Sequence, residues 1–154
     1  MTDTNNNDNV SRETMMTALP VMVYGSLRPE GNGARGVMAE AAVAGPWKAV
    51  TTGDLCYHEC GAYPVMDCDG DGSVIGDMYL VDESHPAWHW LVRMEVEAGY
   101  WVRWHDIMAL QSDGEWKHTK AMVFDWPHGT DGLHKVPNGD WLQADWAAWP
   151  EWKR

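Results

Sequence analysis

From Gly45 onward, turn-forming residues recur so closely that the chain between them has room only for short strands, and this spacing limits the fold more than any other feature. Gly45-Pro46, Gly53, Gly61 with Pro64, the run Asp67 to Gly72, and Ser112-Asp113-Gly114 are the residue types that supply turn geometry. Val50 to His58, Val74 to Val81, Trp101 to Leu110 and Trp116 to Trp126 are the apolar, strand-length stretches between them. Ser112-Asp113-Gly114 predicts a hairpin joining the last two.

Three segments depart from that rhythm. Leu19 to Tyr24 is an apolar run with Pro20 at its entry and Gly25 at its exit, as in a buried strand. Ala34 to Ala42 is rich in helix formers. Asp82-Glu83-Ser84-His85-Pro86 reads as a helix start with Ser84 as N-cap, so a helix is expected over Pro86 to Glu97, stopping at Gly99. Asn138-Gly139-Asp140-Trp141 begins a last short helix or an extended tail. Several antiparallel strands with two or three helices predict an α/β (α+β) domain. Its expected form is a small mixed, largely antiparallel β-barrel, closed or nearly so, flanked by short helices. Residues 1–18 are polar and aperiodic and read as a flexible tail; 19–154 form the domain.

Composition narrows the partners. Eleven Lys and Arg against 23 Asp and Glu give a formal charge of -12, which repels phosphate backbones and anionic surfaces. No nucleic-acid or membrane partner is expected. No apolar run approaches the roughly 18–20 residues that span a bilayer. Met1 to Asn9 lacks the basic and apolar regions of a secretory signal, and three cysteines cannot all pair. The expected compartment is a reducing cytoplasm. Eleven Trp against one Phe predict that many indoles line the core or a cavity.

The chemistry-bearing candidate is Tyr24-Gly25-Ser26-Leu27-Arg28, directly after the first strand. Glycine there lets the following N–H groups converge on one point, a concavity suited to a carboxylate or a developing oxyanion. Ser26 adds a hydroxyl, Tyr24 a phenol and Arg28 a fixed positive charge. An ordinary strand-to-loop turn is the competing reading of the same residues.

These residues and four further blocks resemble the γ-glutamylcyclotransferase-like family, in particular its AIG2-like members. Val23 to Arg28 looks like that family's opening signature. Gly53-Asp54-Leu55-Cys56-Tyr57 with Tyr63-Pro64 is similar to its second block. Val74 to Tyr79 with Asp82 resembles a third, Met94-Glu95 with Gly99-Tyr100 and Arg103 a fourth, and Gly139-Asp140-Trp141 its close. The resemblance implies an enzyme without a cofactor that cyclises a γ-glutamyl amide to 5-oxoproline and releases an amine or amino acid. It implies substrate binding by Tyr24 to Arg28 and Tyr100, and proton transfer by Glu95. Burial by Trp88, Leu91 and Val92 is expected to raise the pKa of Glu95 toward working pH. Glu97 is the competing acid, but two residues on it lies roughly 200° around a helix. Val92 and Val96 depart from the family beside the acid. The alternative reading is therefore a non-catalytic small-ligand-binding or protein-interaction module on the same fold. A second copy of the chain or a protein partner is compatible with either reading.

Two metal-like patterns are set aside. Asp67-x-Asp69-x-Asp71-Gly72 copies half of a calcium loop, but its twelfth position is Met78. Cys56-x-His58-x-Cys60 with Cys68 offers zinc-type ligands, but three positions alternating on one strand face are too linear for a tetrahedral site. No metal site is expected. The C-terminal Trp141, Trp146, Trp149 and Trp152 are read as docking on the domain, with a partner-binding patch as the alternative.

Overall fold

The computed structural model describes residues 18–25, 27, 35–61 and 63–143. The expected tail and the tryptophans at 146, 149 and 152 lie outside the described residues. Nine elements are longer than one turn: β1 (Leu19–Val23), α1 (Arg35–Ala41), β2 (Ala42–Thr52), β3 (Asp54–Tyr57), β4 (Pro64–Asp67), β5 (Ser73–Val81), α2 (Pro86–Glu97), β6 (Trp101–Leu110) and β7 (Trp116–Asp125). Two single 3₁₀ turns follow, Pro137–Gly139 and Trp141–Gln143.

Five strands close into a barrel in the order β1-β5-β2-β6-β7. Its pairings are antiparallel except one. β6 and β7 form a full hairpin from Trp101↔Asp125 to Leu110↔Trp116, and β7 closes on β1 in parallel at Val21↔Met122. Closure leaves these strands no free edge for another chain to pair with. β3 and β4 form a separate two-stranded sheet. It is tied to the C-terminal segment by Tyr57 N–H donating to His134 O (2.8 Å) and Val136 N–H to Leu55 O (2.9 Å). The mixed, largely antiparallel barrel with short helices is thus the architecture the turn spacing predicts.

Period-two alternation splits the core in two. Met22, Ala49, Val74, Ile107, Ala121 and Val123 join Leu55, Met66 and Trp141 in one buried cluster. Their strand neighbours Val21, Val23, Val81 and Phe124 pack instead with Met38 of α1 and Trp88 and Leu91 of α2. Both helices therefore cover one outer face, and the last turn of α2 comes to the exit of β1.

The structure corrects three expectations. Val50 to His58 is not one strand: the chain breaks at Gly53, whose N–H turns to the Gly72 carbonyl (3.0 Å), and β3 leaves the barrel. The N-cap of α2 is His85, whose Nδ1 accepts from Ala87 N–H at 3.0 Å; Ser84 donates its hydroxyl to Asp82 instead. Among the described tryptophans only Trp88 and Trp141 are buried, while Trp90, Trp101, Trp104 and Trp116 are exposed. The last three lie on the β6–β7 hairpin, away from the helix-covered face. No helix among the described residues is long and apolar enough to cross a membrane.

Candidate active site

Where β1 ends, the chain bends against the start of β4. A Cβ on Gly25 would lie 2.7 Å from Pro64 Cγ and 3.2 Å from its Cδ, so only glycine permits this approach. The last turn of α2 faces the bend. Between them lies a cavity of about 270 Å³, walled by Gly25 and Leu27 from the bend, Tyr63 and Pro64 from the β4 entry, and Glu95 and Tyr100 from the end of α2. That volume is near the lower end of the range of small-molecule sites.

Glu95 reaches this wall through the way α2 stops. Ala98 caps the helix, Gly99 takes φ +112°, and Tyr100 N–H donates back to Glu95 O (3.0 Å) while Gly99 N–H donates to Val96 O (3.1 Å). These are the two bonds of a Schellman motif. The short interval from Glu95 to Tyr100 is therefore one closed turn, which brings the acid and the tyrosine to the same cavity. Glu97, the competing acid, is exposed and outside the cavity wall.

The polar groups of the wall fall into two kinds. Tyr100 donates its hydroxyl to Pro64 O (2.6 Å), and the fully buried Tyr24 donates to Phe124 O (2.5 Å). Burial raises both phenols well above their usual range, and the Glu95 charge pushes them the same way. Burial also raises Tyr63, with lesser contributions from neighbours that include Glu95. All three stay neutral near pH 7. Glu95 differs: burial alone pushes its carboxyl up. A carboxyl so placed exchanges a proton nearer neutrality than an exposed one.

Of the residues expected at the site, Tyr24, Gly25, Leu27, Glu95 and Tyr100 come together around one cavity. Ser26 and Arg28 lie outside the described residues. The phenol of Tyr24 is turned into the core, so its side chain holds the barrel at this point rather than facing the cavity with a free hydroxyl. Sequence reasoning gave no site role to Tyr63, Pro64, Met94, Ala98 or Phe124, which complete the wall. Tyr63-Pro64 stood within a family block, which was the available signal. For Met94, Ala98 and Phe124 no local pattern marks a cavity position.

The metal-like patterns have structural uses. Asp69 takes a two-point ion pair from Arg103 (2.7 and 3.1 Å), and Asp67 accepts the Asp69 N–H (2.9 Å). Cys56 and Cys68 are buried, whereas His58 lies past the end of β3, accepting from Cys60 N–H and stacked on Tyr63 at 4.4 Å. Among the described residues no three His, Cys, Asp or Glu side chains gather as a metal site.

Comparison with known proteins agrees with this geometry. The chain matches the family described as gamma-glutamyl cyclotransferase, AIG2-like, over residues 21–143. No curated protein matches it. Among solved structures, YkqA from Bacillus subtilis is similar at a TM-score of 0.57 and 22% identity, over 80% of this chain but only 39% of that one. An AIG2-like protein from Mus musculus is similar at 0.57 and 18% identity, over 83% of this chain and 84% of its own. A uropathogenic E. coli-specific protein is similar at 0.54 and 17%, over 80% and 92%. At these identities the structural likeness is one of fold. The sequence match spans most of the chain and all of the described cavity, and the protein belongs to the gamma-glutamyl cyclotransferase, AIG2-like family.

Proposed function

We propose that the protein cyclises a γ-glutamyl amide to 5-oxoproline, with Glu95 as the single general acid–base. The observation that carries this reading is a half-buried carboxyl with a raised pKa in the wall of the cavity that also receives the bend after β1.

In this mechanism the substrate's free α-amine attacks its own γ-carbonyl carbon. As the new C–N bond forms, the Glu95 carboxylate takes a proton from the attacking nitrogen. The carbonyl oxygen becomes an oxyanion and is held by backbone N–H groups between Gly25 and Leu27. The protonated Glu95 then gives its proton to the leaving nitrogen, the amide C–N bond breaks, and 5-oxoproline and a free amine depart. Nucleophile and electrophile share one molecule, so the cavity's task is to fold the substrate. Well-oriented intramolecular reactions gain effective molarities of ~10⁵ M or more. Oxyanion donors contribute about 3–4 kcal/mol each. Tyr100, pinned to Pro64, forms a fixed side of the cavity against which the substrate folds.

The three cysteines are free, which suits a reducing compartment such as the cytoplasm. The test is release of 5-oxoproline from a panel of γ-glutamyl amines and γ-glutamyl dipeptides. Wild type is expected to release it, and Glu95→Gln to do so ~10²–10⁴-fold more slowly with its circular dichroism unchanged. Unchanged turnover in that variant removes Glu95 from the mechanism. Ligand retention without release by wild type would favour the binding module.

A further inference from the structure

We propose that His128, which touches no part of the cavity wall, is a positioning residue for Glu95, acting through the Gly99 turn and backed by Trp126. This inference rests on the catalytic reading above.

The need for such a residue follows from how α2 is held. Its buried side chains are Trp88 and Leu91, both in the first half. Beyond Leu91, Met94, Val96, Glu97 and Ala98 are exposed, so the turn that carries Glu95 has no apolar anchor of its own. A helix end without buried contacts opens locally at low cost. Something else must fix the carboxyl, because general acid–base transfer requires hydrogen-bond reach to the reacting nitrogen.

The segment leaving β7 supplies the fixing contacts. His128 Nε2 lies 2.9 Å from Gly99 O. A carbonyl only accepts, so this nitrogen carries the proton and donates. The turn is seated closely: a Cβ on Gly99 would stand 3.1 Å from Trp126 Cζ3 and 3.3 Å from His128 Nε2. The Trp126 ring meets His128 edge-on at 4.6 Å and Tyr100 at 5.2 Å. Trp126 is itself fixed, its N–H donating to Met66 O of β4 at 2.8 Å. β4 begins at Pro64, whose carbonyl takes the Tyr100 hydroxyl. A ring of contacts thus runs from β4 through Trp126 and His128 to the Gly99 turn, and back through Tyr100 to β4. Glu95 is bonded into it by its backbone carbonyl. The link at His128 is an exposed hydrogen bond, so its removal loosens the turn without touching the core.

The experiment compares wild type, His128→Ala and His128→Gln, whose amide nitrogen can donate from nearly the same place. Hydrogen exchange at the Tyr100 amide, the donor to Glu95 O, is expected to be about 5- to 10-fold faster in His128→Ala and restored in His128→Gln, with Val123 in β7 unchanged. On a γ-glutamyl amide that wild type turns over, kcat is expected to fall about 3- to 10-fold in His128→Ala with KM within twofold, and to recover in His128→Gln. Unchanged exchange at Tyr100 overturns the proposal. So does faster exchange with unaltered kcat. Should wild type release no 5-oxoproline, the catalytic reading fails, and a positioning role for His128 fails with it even if the exchange rates behave as expected.

Discussion

At its first end α2 is held by side chains: the His85 imidazole caps Ala87 N–H, Pro86 opens the first turn, and Trp88 and Leu91 are buried against the barrel. At its second end it is held by backbone: two Schellman hydrogen bonds, a glycine at φ +112°, and the contacts of Gly99 with Trp126 and His128. The first arrangement gives stability that does not depend on a single residue's exact position. The second fixes position at little apolar cost, and leaves Glu95 free of any side-chain partner that would occupy its carboxyl. A catalytic acid–base requires this combination, because a carboxylate paired with a cation would lose its proton too readily to return it. Within one helix, stability and reactivity are separated by about one turn.

Truncation at the first end is expected to have the largest effect on stability. Leu91→Ala empties a site only 2% exposed, and should cost about 2–5 kcal/mol in denaturant unfolding. Turnover per folded molecule should remain within a few-fold of wild type at low temperature. A variant that stays fully folded yet loses turnover would show that the two ends are not separable. Gly99→Ala tests the other end. The positive φ and the 3.1 Å approach to Trp126 together predict a loss of about 1–3 kcal/mol. Here the order is reversed: turnover should fall by more than the Leu91 variant's, despite the smaller loss of stability. Equal turnover in the two variants would break the comparison.

The same division governs what could be read in the sequence. α2 was bounded correctly at both ends because Pro86 and Gly99 are local signals, and the β6–β7 hairpin because Ser112-Asp113-Gly114 leaves no other connection. The meeting of Gly25, Glu95 and Tyr100 at one cavity was expected only through the family blocks, since nothing local in residues 70 positions apart says that they meet. Two features were not legible at all. The departure of β3 from the barrel depends on Gly53 bonding to Gly72, a long-range pairing. The exposure of Trp101, Trp104 and Trp116 depends on how far two short helices extend over the sheet, which composition does not encode. The seat formed by Trp126 and His128 behind the Gly99 turn is likewise a product of closure, because β7 must exit beside β4 for the two residues to reach the turn.

The smallest expected effect concerns stability against pH, and it separates Glu95 from the other shifted carboxyls. The exposed groups Asp69, Asp82 and Asp106 are held below the usual carboxylate range by hydrogen bonds from Arg103, Ser84 and Lys120 respectively. Their contributions are present above the unfolded pKa and fade as pH falls through the folded one. Glu95 has the opposite sign. Its folded pKa is raised, so its contribution is fully present below the unfolded value near ~4.3 and is lost as pH rises through the folded pKa. Glu95→Gln keeps a neutral side chain at every pH. It should therefore match wild type in Tm near pH 4 and exceed it by a few degrees near pH 7, with the gap opening between those values. Taking the difference between the two proteins cancels the three aspartates, which both share, and the cavity phenols of Tyr24, Tyr63 and Tyr100 titrate above this window. A gap that closes as pH rises would mean that Glu95 is stabilised as a carboxylate in the folded protein. The second end of α2 would then be an ion-holding site instead of a proton-transferring one.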